Sequence, residues 1–192
     1  MKPFTCLAVA AVLLAAPVAV HGQMPASPNG SEEQRAAMAR LSAMDGEWRG
    51  TSTIHGPTGT QTLAQTERVG SLLGGSIKVI EGRGYNPDSS TSFNAMAVIS
   101  WDTAAGRYGF HSWANGRTGN FQFEATEDGF RWEVPAGPNG RVEYVAVVAD
   151  GTWHEVGHYI VEGQPPRRIL EMTLTRLGDS DWPAGVPVGP GD

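Results

Sequence analysis

Residues 107–134, RYGFHSWANGRTGNFQFEATEDGFRWEV, decide the fold. Asn115-Gly116 and Asp128-Gly129 are dipeptides that favour the positive φ of tight hairpin turns. The segments between them are rich in aromatic and β-branched residues, which suit a pleated, half-buried surface. So 107–114, 118–126 and 129–134 read as three successive antiparallel strands. The same punctuation continues upstream, at Gly56-Pro57-Thr58-Gly59, Val69-Gly70, Asn86-Pro87-Asp88 and Asp102 to Gly106. Downstream it recurs at Asn139-Gly140, Asp150-Gly151 and Glu162-Gly163. Seven more strands fall between these turns, at 47–55, 60–68, 76–85, 92–101, 141–149, 152–161 and 168–177. No helical pattern interrupts them, which argues against parallel βαβ units. The expected fold is all-β: an antiparallel up-and-down barrel of about ten strands, with a sandwich as the other solution for many short strands.

Outside this region the texture changes. Residues 31–44 (SEEQRAAMARLSAM) carry a capping-box spacing, Ser31 to Gln34, and one apolar stripe of Ala37, Leu41 and Met44. They predict a single short helix lying on the barrel or covering one end. Residues 1–22 combine Lys2 with an apolar run from Leu7 to Val20 and read as a secretory signal. The expected location is periplasmic or secreted, with no membrane span in the mature chain. Residues 23–30 read as a linker, and the Pro/Gly-rich 178–192 as a disordered tail. The lone cysteine, Cys6, lies inside the signal. The net charge is −6 over 192 residues, and removing the signal takes away Lys2 and no acid. An acidic chain without a basic cluster argues against a nucleic-acid partner.

Alternation assigns faces. In 92–101, Phe93, Ala95, Ala97, Ile99 and Trp101 share one side; in 168–177, Leu170, Met172, Leu174 and Arg176 do. In 76–85, Ile77, Val79, Glu81 and Arg83 share a side. If that side is interior, Glu81 and Arg83 enter the barrel together, where a lone charge is costly unless paired or met by a polar ligand. His111 and Trp113 share a face that could line a pocket, and Tyr144, Trp132 and Tyr159 are aromatics for a core or rim. Glu67 and Glu81 form a possible carboxylate pair. Gly82-Arg83-Gly84 and Gly74-Gly75 read as bulges that bend strands. There is no nucleophile elbow, phosphate loop or dinucleotide turn, and no cofactor is implied.

His154-Glu155-Val156-Gly157-His158 matches H-E-x-x-H, the zinc-hydrolase signature. That chemistry needs a helix, where residues i and i+4 converge on one ion and the glutamate serves as general base. On a strand the two histidines share a face but stand about 13 Å apart. The flanking β-formers and Gly157 favour the strand. The alternative, a zinc enzyme with His154 and His158 as ligands, therefore turns on the secondary structure of 152–161.

Gly46-Glu47-Trp48, at the head of the first strand and just after the helix, resembles the G-x-W signature of calycins, the superfamily that includes lipocalins. In such barrels the tryptophan closes one end and an arginine of the last strand stacks on it, which the resemblance carries to Trp48 and Arg176. The wider pattern is GEWRG, TERVG–LLGG–IKVIEGRGY, a strand ending SWD, FHSW-NGR-G and LEMTLTRL. It resembles an uncharacterised family of bacterial exported proteins, the domain-of-unknown-function family fifteen seventy-nine, over roughly residues 40–177. Nitrobindin-like barrels share G-x-W-x-G and bind haem through a histidine near the C-terminal end. No histidine follows His158 here. These likenesses imply a lipocalin- or fatty-acid-binding-protein-like barrel with a small apolar or amphipathic molecule inside. Glu81, Arg83, His111, Trp113 and Tyr144 are the candidate ligand-binding residues. A filled barrel acting as a ligand-free envelope interaction protein is the remaining alternative.

Overall fold

The computed structural model describes residues 30–185. The expected signal peptide, nearly all of the linker and the end of the tail lie outside the described residues. Ten strands form in chain order: β1 (Gly46–Gly56), β2 (Gly59–Leu72), β3 (Ile77–Tyr85), β4 (Thr91–Asp102), β5 (Arg107–Ala114), β6 (Arg117–Ala125), β7 (Gly129–Pro135), β8 (Gly140–Ala149), β9 (Thr152–Val161) and β10 (Arg167–Gly178). Each pairs antiparallel with its chain neighbour, and β1 pairs with β10, so the sheet closes into a barrel without an edge. Closure by sequential hairpins is what the turn signals predict, because each Asn-Gly or Asp-Gly returns the chain beside the strand it has just left. Positive φ at Asn115 (49°) and Gly116 (77°) realises one of those turns.

Directly paired residues share a face, so the register fixes what points inward. Trp48 pairs with Arg176 on one side and Glu67 on the other, and Ser52 pairs with Met172 and Leu63. Ile99 pairs with Phe110, which pairs with Phe121, and Phe123 pairs with Trp132, which pairs with Tyr144. A continuous aromatic lining follows. Trp101 meets Tyr108 edge-on, Tyr108 meets Phe123, Phe110 meets Trp132, and Trp132 stacks on Tyr144 at 4.2 Å. Each such pair contributes about 0.5–1.5 kcal/mol beyond area burial.

One end is closed. Helix α1 (Glu32–Ala39) is capped as expected: Ser31 Oγ accepts from the Gln34 amide, and Gln34 Oε1 accepts from the Ser31 amide. The helix is shorter than the predicted 31–44. It stops at Ala39, and a separate 3-10 turn (Ser42–Met44) follows. The break redirects the chain so that Met38, Leu41 and Met44 all drop into the barrel end, each almost fully buried. Trp48 lies beneath them and donates Nε1–H to the Met44 carbonyl at 2.8 Å. Buried Lys78 pairs with Asp45 and secures this cap to β3.

Arg176 occupies the expected closing position beside Trp48, but with another contact. Its guanidinium donates to the Asp45 carbonyl and to Asp179. Among the described residues, the guanidinium–ring contacts are Arg68 over Trp182 and Arg167 over Tyr159. The first of these also corrects the expected disordered tail in its near part. Residues 178–185 run back against β2, where the Trp182 carbonyl lies so near Gly70 that a Cβ there would stand 1.9 Å away. Gly74-Gly75 is likewise no bulge but part of a 3-10 turn, Leu73–Gly75, with φ of 65° and 87°. The β3–β4 register does shift at Gly84/Tyr85.

Candidate functional site: a carboxyl-bearing aromatic cavity

Away from the cap the barrel is hollow. A cavity of about 610 Å³ extends toward the other end, within the roughly 300–1,000 Å³ typical of small-molecule sites. Ile54, Phe93, Ala114, Arg117 and Val134 ring its outer part, at the strand ends remote from α1. Deeper, Phe110, Phe123, Phe130, Trp132, Tyr144 and Trp153 form most of the wall.

Two carboxyl groups break this apolar surface. Glu155 comes from β9, on the same face as Trp153 and Gly157, because alternate strand residues point the same way. It is 7% exposed. Its Oε1 accepts from Trp132 Nε1 at 3.0 Å and its Oε2 from Trp153 Nε1 at 3.2 Å. Burial pushes its pKa up, and the two indole N–H groups oppose that rise. Glu67 comes from β2 and accepts from Gln65 Nε2 at 2.8 Å; Ser52 Oγ donates in turn to Gln65 Oε1 at 3.3 Å. Burial lifts the Glu67 carboxyl to about 8, against the lowering by Gln65 and with help from the nearby charges of Glu155 and Glu81. Tyr144 is raised to about 12 by burial and by Glu155.

Glycines shape the room around these groups. Opposite Glu67 stands Gly82, where a Cβ would come within 2.7 Å of both carboxyl oxygens. Gly157 lies against the Tyr144 ring, at 2.7 Å from its Cε1 by the same construction. The absent side chains leave space for a carboxyl in one place and a flat aromatic in the other.

Of the five candidate ligand-binding residues, only Tyr144 enters the cavity. The inward face of β3 is Lys78, Ile80, Gly82 and Gly84, so Glu81 and Arg83 point outward. There Glu81 accepts from Arg68 Nη2 at 2.5 Å and Arg83 Nη2 at 2.6 Å. Burial alone would raise the Glu81 pKa, but the hydrogen bonds and charges of Arg83 and Arg68 hold it below the usual carboxylate range. The possible Glu67/Glu81 pair thus straddles the wall, one group on each side. His111 and Trp113 lie ring against ring, 4.1 Å apart and tilted by 36°, on the outer face of β5, whose inward residues are Tyr108, Phe110, Ser112 and Ala114; His111 also hydrogen-bonds Asn120 and Thr118. Glu81 and Trp113 instead border an outer hollow with Met96, Arg117 and Trp182, and the interior placement of Glu81 and Arg83 fails because a shift of one residue in parity exchanges every side chain of a strand between the two faces.

The H-E-x-x-H segment is strand β9, not a helix. His154 and His158 both face outward, paired across the strands with Thr173 and Arg168, while Glu155 points inward. They are about 13 Å apart along the strand and the glutamate is on the opposite face, so the zinc alternative loses its geometry. Haem ligation fares no better. Among the described residues His55, His111, His154 and His158 are the histidines, all at outward positions, and none lines the cavity.

Gln65 and Ser52 carry no sequence signal of a site, and Glu155 stands out in sequence as the glutamate of the H-E-x-x-H motif. A readable signal existed for Glu155, which lies on a strand in phase with Trp153 and Gly157.

Among solved structures, the chain resembles the crystal structure of Rv2717c from M. tuberculosis, with a TM-score of 0.55 and 13% identity. The match covers 73% of this chain and 96% of that one. At that identity the likeness is one of fold. No family model matches the chain, and no curated protein does.

Proposed function

We propose that the protein is an exported, calycin-like binding barrel that takes a small amphipathic molecule into its interior. The observation that carries this reading is the cavity itself: about 610 Å³, aromatic along its walls, polar at Glu67 and Glu155, and reached from the end away from α1. A barrel filled by its own side chains, as an envelope interaction protein would have, leaves no such volume. The outer faces favour a water-surrounded carrier over a lipid-facing barrel, because they bear Arg68, Glu81, Arg83, Glu124 and Arg131 in ion pairs where a lipid-facing band would be apolar. Export rests on the Lys2 and Leu7–Val20 pattern, and kinship with the exported uncharacterised family on the G-x-W and strand motifs.

Native mass spectrometry of protein purified from a periplasmic extract tests the reading. An organic mass held by the folded protein and released on denaturation is the expected result. A bare mass, together with no change in tryptophan emission on adding amphiphiles, overturns it, because Trp132 and Trp153 border the cavity.

A further inference from the structure

The two cavity carboxyls have no cationic partner among the described residues. Among the described residues, the hydrogen bonds to Glu155 come from Trp132 and Trp153, and the one to Glu67 from Gln65. The buried ammonium of Lys78 is engaged by Asp45 at the capped end. Arg68 and Arg83 are engaged by Glu81 outside the wall. Arg117 lines the cavity only at its outer end, at the start of β6. A buried carboxylate without a counter-charge is unfavourable, and a carboxylate offers about four acceptor sites, of which Glu155 uses two. The surrounding wall is aromatic: Trp132, stacked on Tyr144, and Trp153, edge-on to Phe130 at 5.6 Å, turn their indole N–H edges to Glu155. A carboxylate holds an ammonium by charge, and ring faces farther along the wall add cation–π attraction to groups that lie over them.

We propose that the cavity selects a cationic amphiphile, its ammonium head held by Glu155 and Glu67 and its apolar body running along the aromatic wall toward the open end. The assignment rests on the binding-barrel reading and names the ligand class for it. A fatty-acid carboxylate would face two acids, and a neutral apolar molecule would leave both unmatched. An ammonium exchanges for a carboxyl proton and pairs with the carboxylate left behind. Because burial favours the protonated form of both acids in the empty cavity, an incoming cation drives protons off them. The other titratable groups facing the pair are Tyr144 inside and Glu81 through the wall; neither carries a positive charge to compete.

Isothermal titration calorimetry on the purified mature chain, with decylamine, decanol and decanoate, separates the head groups at constant chain length. The expected order is decylamine tightest by about tenfold or more over decanol, with decanoate weakest. The decylamine heat should vary with the ionisation enthalpy of the buffer, reporting proton release, and the decanol heat should not. A Glu67→Gln, Glu155→Gln double variant should bind decylamine no better than decanol while retaining decanol binding, which shows it is folded. If decanol binds and decylamine is no tighter, or if the double variant keeps its preference for the amine, the head-group assignment is wrong and the binding-barrel reading survives. If none of the three binds, both fall.

Discussion

Replacing Glu67 by Gln should change how stability depends on pH, with a definite sign. The Glu67 carboxyl sits at about 8 in the folded barrel against 4.5 for an unburied side chain. Between those values the folded chain retains a proton that the unfolded chain has lost. The unfolded state therefore binds fewer protons, and stability falls as pH rises across the window. It is fully present below 4.5 and levels off above about 8. At about 1.36 kcal/mol per pKa unit, the full span corresponds to about 5 kcal/mol. Water entering from the open end solvates the carboxylate in part, so an effect of about 2–3 kcal/mol is expected. Glutamine has nearly the same shape and does not titrate, and it can still accept from Gln65. Urea unfolding followed by tryptophan emission, at acid, neutral and alkaline pH, gives both curves. Below pH 5 the variant and the parent should be alike within about 1 kcal/mol; above pH 8 the variant should be the more stable by about 2–3 kcal/mol. Titrating groups remote from Glu67 are common to both proteins and cancel in the difference; Glu155, whose charge acts on Glu67, loses that repulsion in the variant, which also favours the variant at high pH. A difference that does not change with pH, or that grows toward acid, would refute the burial argument for Glu67.

Gly50→Ala should lower stability by about 3 kcal/mol or more in a thermal melt, because a Cβ there would lie 1.9 Å from the Thr173 carbonyl oxygen and must part β1 from β10. Asp45→Asn leaves the buried Lys78 ammonium without its counter-charge; since Asp45 is itself 40% exposed, chemical denaturation should show a loss of about 1–3 kcal/mol, short of a fully buried pair. Ala114→Trp puts a large ring at the open end of the cavity, where Ala114 faces Ala95. Amphiphile uptake should drop at least about tenfold with the melting temperature little changed, and unaltered uptake would mean that ligands enter elsewhere. His154→Ala and His158→Ala should leave metal content by elemental analysis unchanged and stability within about 0.5 kcal/mol, as for other outward-facing strand residues.

The ten strands, their order and the capping box were legible from local chemistry. A tight turn needs residues tolerant of positive φ, and a strand between two such turns has nowhere to go but back beside its predecessor. The grouping of Phe93, Ala95, Ala97 and Ile99 on one side of 92–101 was legible as well, and only the closed barrel shows that this side lines the interior. The face of 76–85 was not. Its inner side is Lys78, Ile80, Gly82 and Gly84, which by itself looks less like a core face than Ile77, Val79, Glu81 and Arg83. It becomes an inner face only because Glu67, Leu63 and Gln65 of β2 fill the space above its glycines, and because the returning Trp182 segment shelters the outer side. In the same way Glu155 reads in sequence as the centre of a zinc motif; only the closed barrel turns it inward, between two indoles and away from both histidines. The sequence by itself determined where the chain turns and that its strands pair in order. Which side of each strand is inside, and so which charges share a cavity, was decided by the tertiary structure. Inwardness depends on the neighbours across the sheet, and those are set by register and closure, not by any one segment's composition.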